Sequence, residues 1–356
     1  MTKRVLFTGY APVHFLCARP LYRALSELPG LEVFVSGGLR TSTDSGYRYD
    51  GPGMYRPLGV PEDRILPVPS LPGMKFDVVL SANKRLLSRR EDVGCQIQIF
   101  HGVSFRNRGV REENRAYDRF FAIGPYMQRL MKETGLVEPN AERVVPIGFP
   151  KTDPLVDGTL DRATTLAAHG LDGSRPVVLY APTGAAHNSL ETMGEEVLQA
   201  LGATDRYDIL VKPHDHPKNG AIDWFEALAP LCGPHLRVVR DSDVVPLLNL
   251  ADLLITDASS VANEFALLDR PIVFLDVPLL LEEARAVGAN IDLQTWGRRG
   301  GVLVKTPAEI VSAVDESLAE PERLSPVRRD IAQDLFFNPG SATNAAVAWL
   351  REHLDV

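Results

Sequence analysis

The chain has no apolar run close to the roughly 18 residues needed to span a bilayer. After its basic pair the N-terminus offers only one short apolar strand, too little for the core of a signal peptide. A cytoplasmic protein is therefore expected, with peripheral contact at the inner face of the plasma membrane the one membrane role left open. Cysteine is also scarce. Cys17, Cys95 and Cys232 stand far apart with no CxxC spacing, which excludes a disulfide scaffold and a zinc framework. Positive charge is in deficit, 38 Lys plus Arg against 46 Asp plus Glu for a net −8, so nucleic acid is not an expected partner. No GxGxxG follows the first strand and no GxxxxGK[ST] occurs anywhere. A nicotinamide or flavin dehydrogenase and a P-loop enzyme thereby lose their main support.

What is present is an ordinary globular composition, 45% hydrophobic and 24% charged over 356 residues, enough for two domains of about 100–200 residues each. Short apolar runs alternate with helical patterns throughout, the signature of parallel sheets flanked by helices. Strands are expected at Val5–Phe7, Leu31–Val35, Asp77–Ser81, Gln96–Phe100, Arg119–Ile123 and Arg143–Ile147, with one helical face running from Phe15 to Leu28. Residues 36–73 show no periodicity and read as a long loop. A second set follows at Val177–Tyr180, Tyr207–Val211, Leu236–Val239, Leu253–Thr256 and Ile272–Leu275, with helices near 191–202, 221–232, 243–250, 259–268 and 307–319. The expected organisation is α/β: two Rossmann-like doubly wound domains, 1–150 and 151–325, then C-terminal helices over 326–356. They are expected to face each other across a cleft, where the carboxyl ends of the strands hold ligand.

Chemistry should then follow strands. In Asp257-Ala-Ser259-Ser260 a buried strand passes at once into a helix, whose first amides and hydroxyls suit a phosphate or diphosphate. Glu264, one turn on, suits ribose hydroxyls. Asp257 or Ser259 serves equally well as a simple helix cap. His101 follows a strand and precedes Gly102, Arg106 and Arg108; its imidazole either packs the loop or takes a proton from an attacking hydroxyl. Lys212 and His214 follow another strand and suit the same phosphate, with His216 the competing histidine. The His-Asp-His spacing invites a metal, but no companion ligands accompany it, so neither metal nor cofactor is expected. Thr183 lies on a strand-end loop. The basic pairs Lys84-Arg85 and Arg89-Arg90 suit either an anionic partner, a membrane surface included, or plain solvation.

Taken in order, these segments resemble the CDP-glycerol glycerophosphotransferase family, which includes the teichoic-acid primases and polymerases. The resemblance rests on His101-Gly102 with Arg106, on Gly148-Phe-Pro-Lys151-Thr-Asp153, on Ala181-Pro-Thr183, on Lys212 and His214, and on Ile255 to Ser260 with Glu264. It implies a GT-B-type fold and a transferase that moves glycerol phosphate, or a related polyol phosphate, from a CDP-linked donor to a hydroxyl of a lipid-linked or polysaccharide acceptor in cell-surface glycopolymer synthesis. It implies that His101 is the base, that His214 with Lys212 stabilises phosphate charge, that Thr183, Asp257, Ser259, Ser260 and Glu264 bind the donor, and that Gly102, Arg106, Lys151 and Asp153 contact acceptor or phosphate. The chain departs from the family at Gly184 and Ala185, where an aromatic and an arginine are usual, at Ala258 in place of Tyr, and at Glu264 in place of Asp. Two other outcomes stay open: a nucleotide-sugar glycosyltransferase or UDP-sugar 2-epimerase of the same fold, and a nucleotide-binding module without chemistry.

Overall fold

The computed structural model describes residues 2–44, 46–82, 87–103, 110, 112–138, 142–214, 222–287, 292 and 297–356. Lys84, Arg85, Arg106, Arg108 and His216, all singled out by sequence, lie outside the described residues. By contact the chain divides into two units, Met1–Gly102 with Gly109–Asp153 and Leu335–Val356, and Val103–Arg108 with Pro154–Asp334.

The first unit carries β1 (Lys3–Gly9), β2 (Leu31–Gly37), an antiparallel hairpin β3 (Leu39–Thr43) and β4 (Gly46–Asp50), then β5 (Ile65–Leu66), β6 (Phe76–Ser81), β7 (Val93–Gln98), β8 (Arg119–Ala122) and β9 (Val144–Pro146). Apart from the hairpin these form one parallel sheet in the order β5-β2-β1-β6-β7-β8-β9. The second unit carries β10 (Val177–Tyr180), β11 (Asp208–Val211), β12 (Leu236–Val238), β13 (Leu253–Thr256), β14 (Ile272–Leu275) and β15 (Val302–Val304), parallel in the order β12-β11-β10-β13-β14-β15. Each sheet grows outward from its first strand and then reverses, so the switch points lie between β1 and β6 and between β10 and β13. In doubly wound sheets ligands bind outside the carboxyl ends of the strands at these points.

Both faces of each sheet are covered, which is why the strands read as continuous apolar runs rather than as alternating ones. Val5 and Phe7 point into a core with Leu21, Leu25 and Val35, while Leu6 meets Phe76, Val79 and Val93 on the opposite face. In the second unit Val178 and Tyr180 pack with Val197, Leu198 and Ile255, and Val177 and Leu179 pack with Leu247, Leu254 and Phe265. Each such side chain contributes about 1.5–3 kcal/mol.

Several elements differ from the sequence reading. Residues 36–73 are not a plain loop, because they hold the β3–β4 hairpin, the helix Gly51–Tyr55 and β5. Nearly every hairpin residue is exposed, so no buried face imprints a two-residue period. The helical face from Phe15 to Leu28 is two helices, Pro12–Leu16 and Arg19–Ser26; Pro20 lacks an N–H and is tolerated only in the first turn of the second. The helix expected at 221–232 shrinks to Trp224–Ala227 with a short turn after it. β15 and the helix Pro278–Ala286 carried too little pattern to be read.

The tail divides. The helix Ser325–Leu335 is anchored in the second unit by Arg328, 2% exposed, whose Nε lies 3.0 Å from Asp269 Oδ1. The following residues belong to the first unit: Phe337 N–H donates to Ile123 O at 2.8 Å, and Ala346, Leu350 and Leu354 of the helix Ala342–Leu354 enter its core. Asp153 caps that helix, accepting from Ala342 N at 3.0 Å and from Thr343 N at 2.7 Å. The Asp153 carboxylate, 4% exposed, is thereby engaged at the start of this helix. Asp153→Ala is expected to lower the unfolding free energy by about 1–2 kcal/mol in urea titration.

Candidate active site

In the second unit the expected donor residues gather at the switch point. Asp257, which ends the run from β13, is fully buried, and four donors converge on its carboxylate. Oδ1 accepts from Thr183 N at 2.8 Å and Ala258 N at 2.5 Å, and Oδ2 accepts from Ser189 N at 2.9 Å and Ser189 Oγ at 2.8 Å. A buried carboxylate is tolerable only when so satisfied. Asp257 shapes the site, tying the loop after β10, the start of the helix Ser189–Gly202 and its own turn into one piece. Ser189 in turn accepts from Tyr180 OH at 2.9 Å. Burial pushes the Tyr180 phenol well above its ordinary range, which keeps it a neutral donor.

Around this knot Thr256 Oγ1 donates to Ala181 O at 2.7 Å, and Lys212 N donates to Tyr180 O at 2.9 Å. The ends of β10, β11 and β13 are thus laced side by side. Thr183, Lys212 and Glu264 are buried, with 4%, 8% and 3% exposure. Ser259 and Ser260 are partly exposed, and His214 is exposed. The helix is Val261–Ala266, shorter than the expected 259–268, and its N-cap Ser260 makes no side-chain cap bond. Ser259 Oγ accepts from Val261 N only at a long 3.4 Å. Capping therefore takes little from these hydroxyls.

In the first unit β7 ends at Gln98, two residues before the expected strand end at Phe100. The chain then turns through Phe100 at φ +50° and Gly102 at φ +135°, both left-handed, a conformation that costs a phenylalanine energy. The turn is held by stacking of Phe100 on Phe120, 6.4 Å between centroids, and by Ile99 N–H donating to Ser81 O at 2.9 Å. It presents His101, whose Nδ1 lies 2.8 Å from Ala82 O. Because a carbonyl only accepts, Nδ1 carries the proton and the lone pair sits on Nε2. At the ends of β1 and β6 the Thr8 and Ser81 hydroxyls hydrogen-bond each other, and Tyr117 bonds Ser81 while burial pushes its phenol far up. Val103 is counted with the second unit, where Asn263 Nδ2 donates to its carbonyl at 2.6 Å.

Of the remaining expected residues, Lys151 is 9% exposed, with Nζ 5.9 Å from the Phe149 ring centre. Arg106 lies outside the described residues. Sequence reasoning passed over Ser189, Asn263 and His14, although Asn188-Ser189 ahead of a helical run was a legible cap: Asn188 Oδ1 accepts from Leu190 N and Glu191 N. Among the described residues no helix is long and apolar enough to cross a membrane, and no group of three or more His, Cys, Asp or Glu side chains is placed to hold a metal ion.

Two parallel sheets of this strand order define the class first: the chain has a GT-B-type α/β fold. It is similar to the structure of the wall teichoic acid polymerase TagF, with TM-score 0.69 and 17% identity over 99% of this chain and 89% of that one. It also resembles Staphylococcus aureus MnaA with UDP, with TM-score 0.61 and 15% identity over 99% and 97% of the two chains. The family model for CDP-Glycerol:Poly(glycerophosphate) glycerophosphotransferase matches residues 78–346, and the chain belongs to this family of transferases. A teichoic acid glycerol-phosphate primase of Bacillus spizizenii is 28% identical over 297 residues, 75% of this chain and 71% of the relative.

Asp257→Asn places an NH2 group against backbone donors. It is expected to destabilise the protein by about 2–4 kcal/mol in denaturant titration and to weaken CDP-glycerol binding in calorimetry. An unchanged midpoint would show that the carboxylate is not what holds the turn.

Proposed function

We propose that the chain transfers glycerol phosphate from CDP-glycerol to a hydroxyl of a lipid-linked or polysaccharide acceptor, in the synthesis of a teichoic-acid-type polymer. The acceptor oxygen attacks the β-phosphorus of the donor. The bond from that phosphorus to the bridging oxygen breaks, CMP leaves, and His101 Nε2 takes the acceptor proton. Ser259, Ser260, Thr183 and Lys212, with His214, hold the diphosphate, and Glu264 accepts from the ribose. Catalysis of this kind rests on positioning and on charge stabilisation around the transferring group.

The observation that carries the reading is the Nδ1 contact of His101 with Ala82 O, which leaves the basic nitrogen of the ring on the side away from the backbone. The hydroxyl-bearing turn at Ser259, braced by Asp257 and left nearly unspent by capping, supports the donor assignment. The family and the primase relative support CDP-glycerol as donor. Free Cys17, Cys95 and Cys232 suit a reducing interior, and contact with the membrane surface through the acceptor's lipid is part of the proposal.

Purified protein is to be incubated with CDP-glycerol and either an oligo(glycerol phosphate) primer or a lipid-linked oligosaccharide, reading CMP release; parallel reactions with UDP-sugars read UDP. CMP release dependent on acceptor is expected. UDP release alone would move the assignment to a nucleotide-sugar enzyme, and nucleotide binding without release of either would make the chain a sensor. His101→Ala is expected to cut turnover by about 10²–10⁴-fold with CDP-glycerol affinity retained, whereas Ser259→Ala is expected to weaken that affinity by about tenfold or more. Equal loss of binding and turnover in His101→Ala would refute the base.

A further inference from the structure

His14 stands beside the proposed base. It lies in the five-residue helix Pro12–Leu16 that follows β1, is 7% exposed, and its ring meets that of His101 edge to face, with centroids 5.2 Å apart and planes at 62°. The ring is held from several sides. Its Nδ1 accepts from Tyr10 N at 3.2 Å, so its proton is on Nε2. The Tyr10 ring abuts it at 4.5 Å and 89°. Gly9 leaves the space it needs, for a Cβ at residue 9 would fall 2.8 Å from His14 Cβ. Tyr10 is itself braced from the hairpin, with the Arg40 guanidinium 4.1 Å from its ring centre and 4.6 Å from that of Tyr47.

A hydrogen bond at one ring nitrogen leaves rotation about that bond open, and an aromatic contact on the ring face restricts that rotation. We propose that His14 is a positioning residue for His101: the Ala82 carbonyl sets the tautomer of the base, and the His14 ring sets its plane, so that Nε2 meets the acceptor hydroxyl in one orientation. The chain of contacts runs from Arg40 through Tyr10 and His14 to His101, and links the exposed hairpin to the base. This inference rests on the reading of His101 as the base.

The test is a double-mutant cycle on the full chain with CDP-glycerol and whichever acceptor supports CMP release. His14→Ala is expected to lower kcat by about tenfold or more, with the dissociation constant for CDP-glycerol unchanged within about twofold. In the His101→Ala background, where residual turnover is followed over long incubations, His14→Ala should cost nothing further, because a group that acts only through the base has no effect once the base is gone. His14→Phe keeps the ring without its lone pair; it should recover part of the lost kcat and serves in the cycle if the alanine variant does not fold. Unchanged kcat in His14→Ala would overturn the proposal, as would the same fractional loss in both backgrounds, the mark of a structural role alone. Full turnover in His101→Ala would instead remove the base reading on which it stands.

Discussion

The fold of the candidate donor site depends on a single buried charge. The Asp257 carboxylate is fully buried and draws on backbone donors of three segments, the loop after β10, the start of the helix Ser189–Gly202 and its own turn. Stripping a carboxylate of solvent is expensive unless each oxygen is satisfied, so these segments have one arrangement in which the charge is tolerated. The turn carrying Ser259 and Ser260 thereby acquires a definite shape although its helix is brief. Tyr180 extends the knot through Ser189 into the core.

The two units repeat one solution. Each sheet reverses direction next to its first strand, and each places polar groups at that reversal: Tyr10, His14 and the Ala82 carbonyl after β1 and β6, Thr183 and Asp257 after β10 and β13. The resemblance lies in topology and not in chemistry. The second unit offers hydroxyls, a lysine and amide-rich turns, whereas the first offers paired imidazoles and buried hydroxyls.

Much of this was legible beforehand. Strands buried on both faces announce themselves as apolar runs, so Val177–Tyr180, Leu253–Thr256 and Ile272–Leu275 were read with their observed bounds. The strand-end positions of His101, Thr183, Lys212 and Ser259 followed from the same pattern. The hairpin Leu39–Asp50 was not legible because neither of its faces is buried, and the strand Val302–Val304 was too short to show a period. The backbone amides that Asp153 and Asp257 meet lie on distant segments, so no local pattern announces those bonds.

The succession and type of the strands and the candidate base were determined by local sequence, since each depends on residues within one strand or turn. Which carboxylates are consumed internally, the return of the last helix to the first unit, and the meeting of His14 with His101, 87 positions apart in the chain, were decided only by tertiary packing. Contacts between residues so distant are chosen by the shape of the assembled core, and no local pattern encodes that shape.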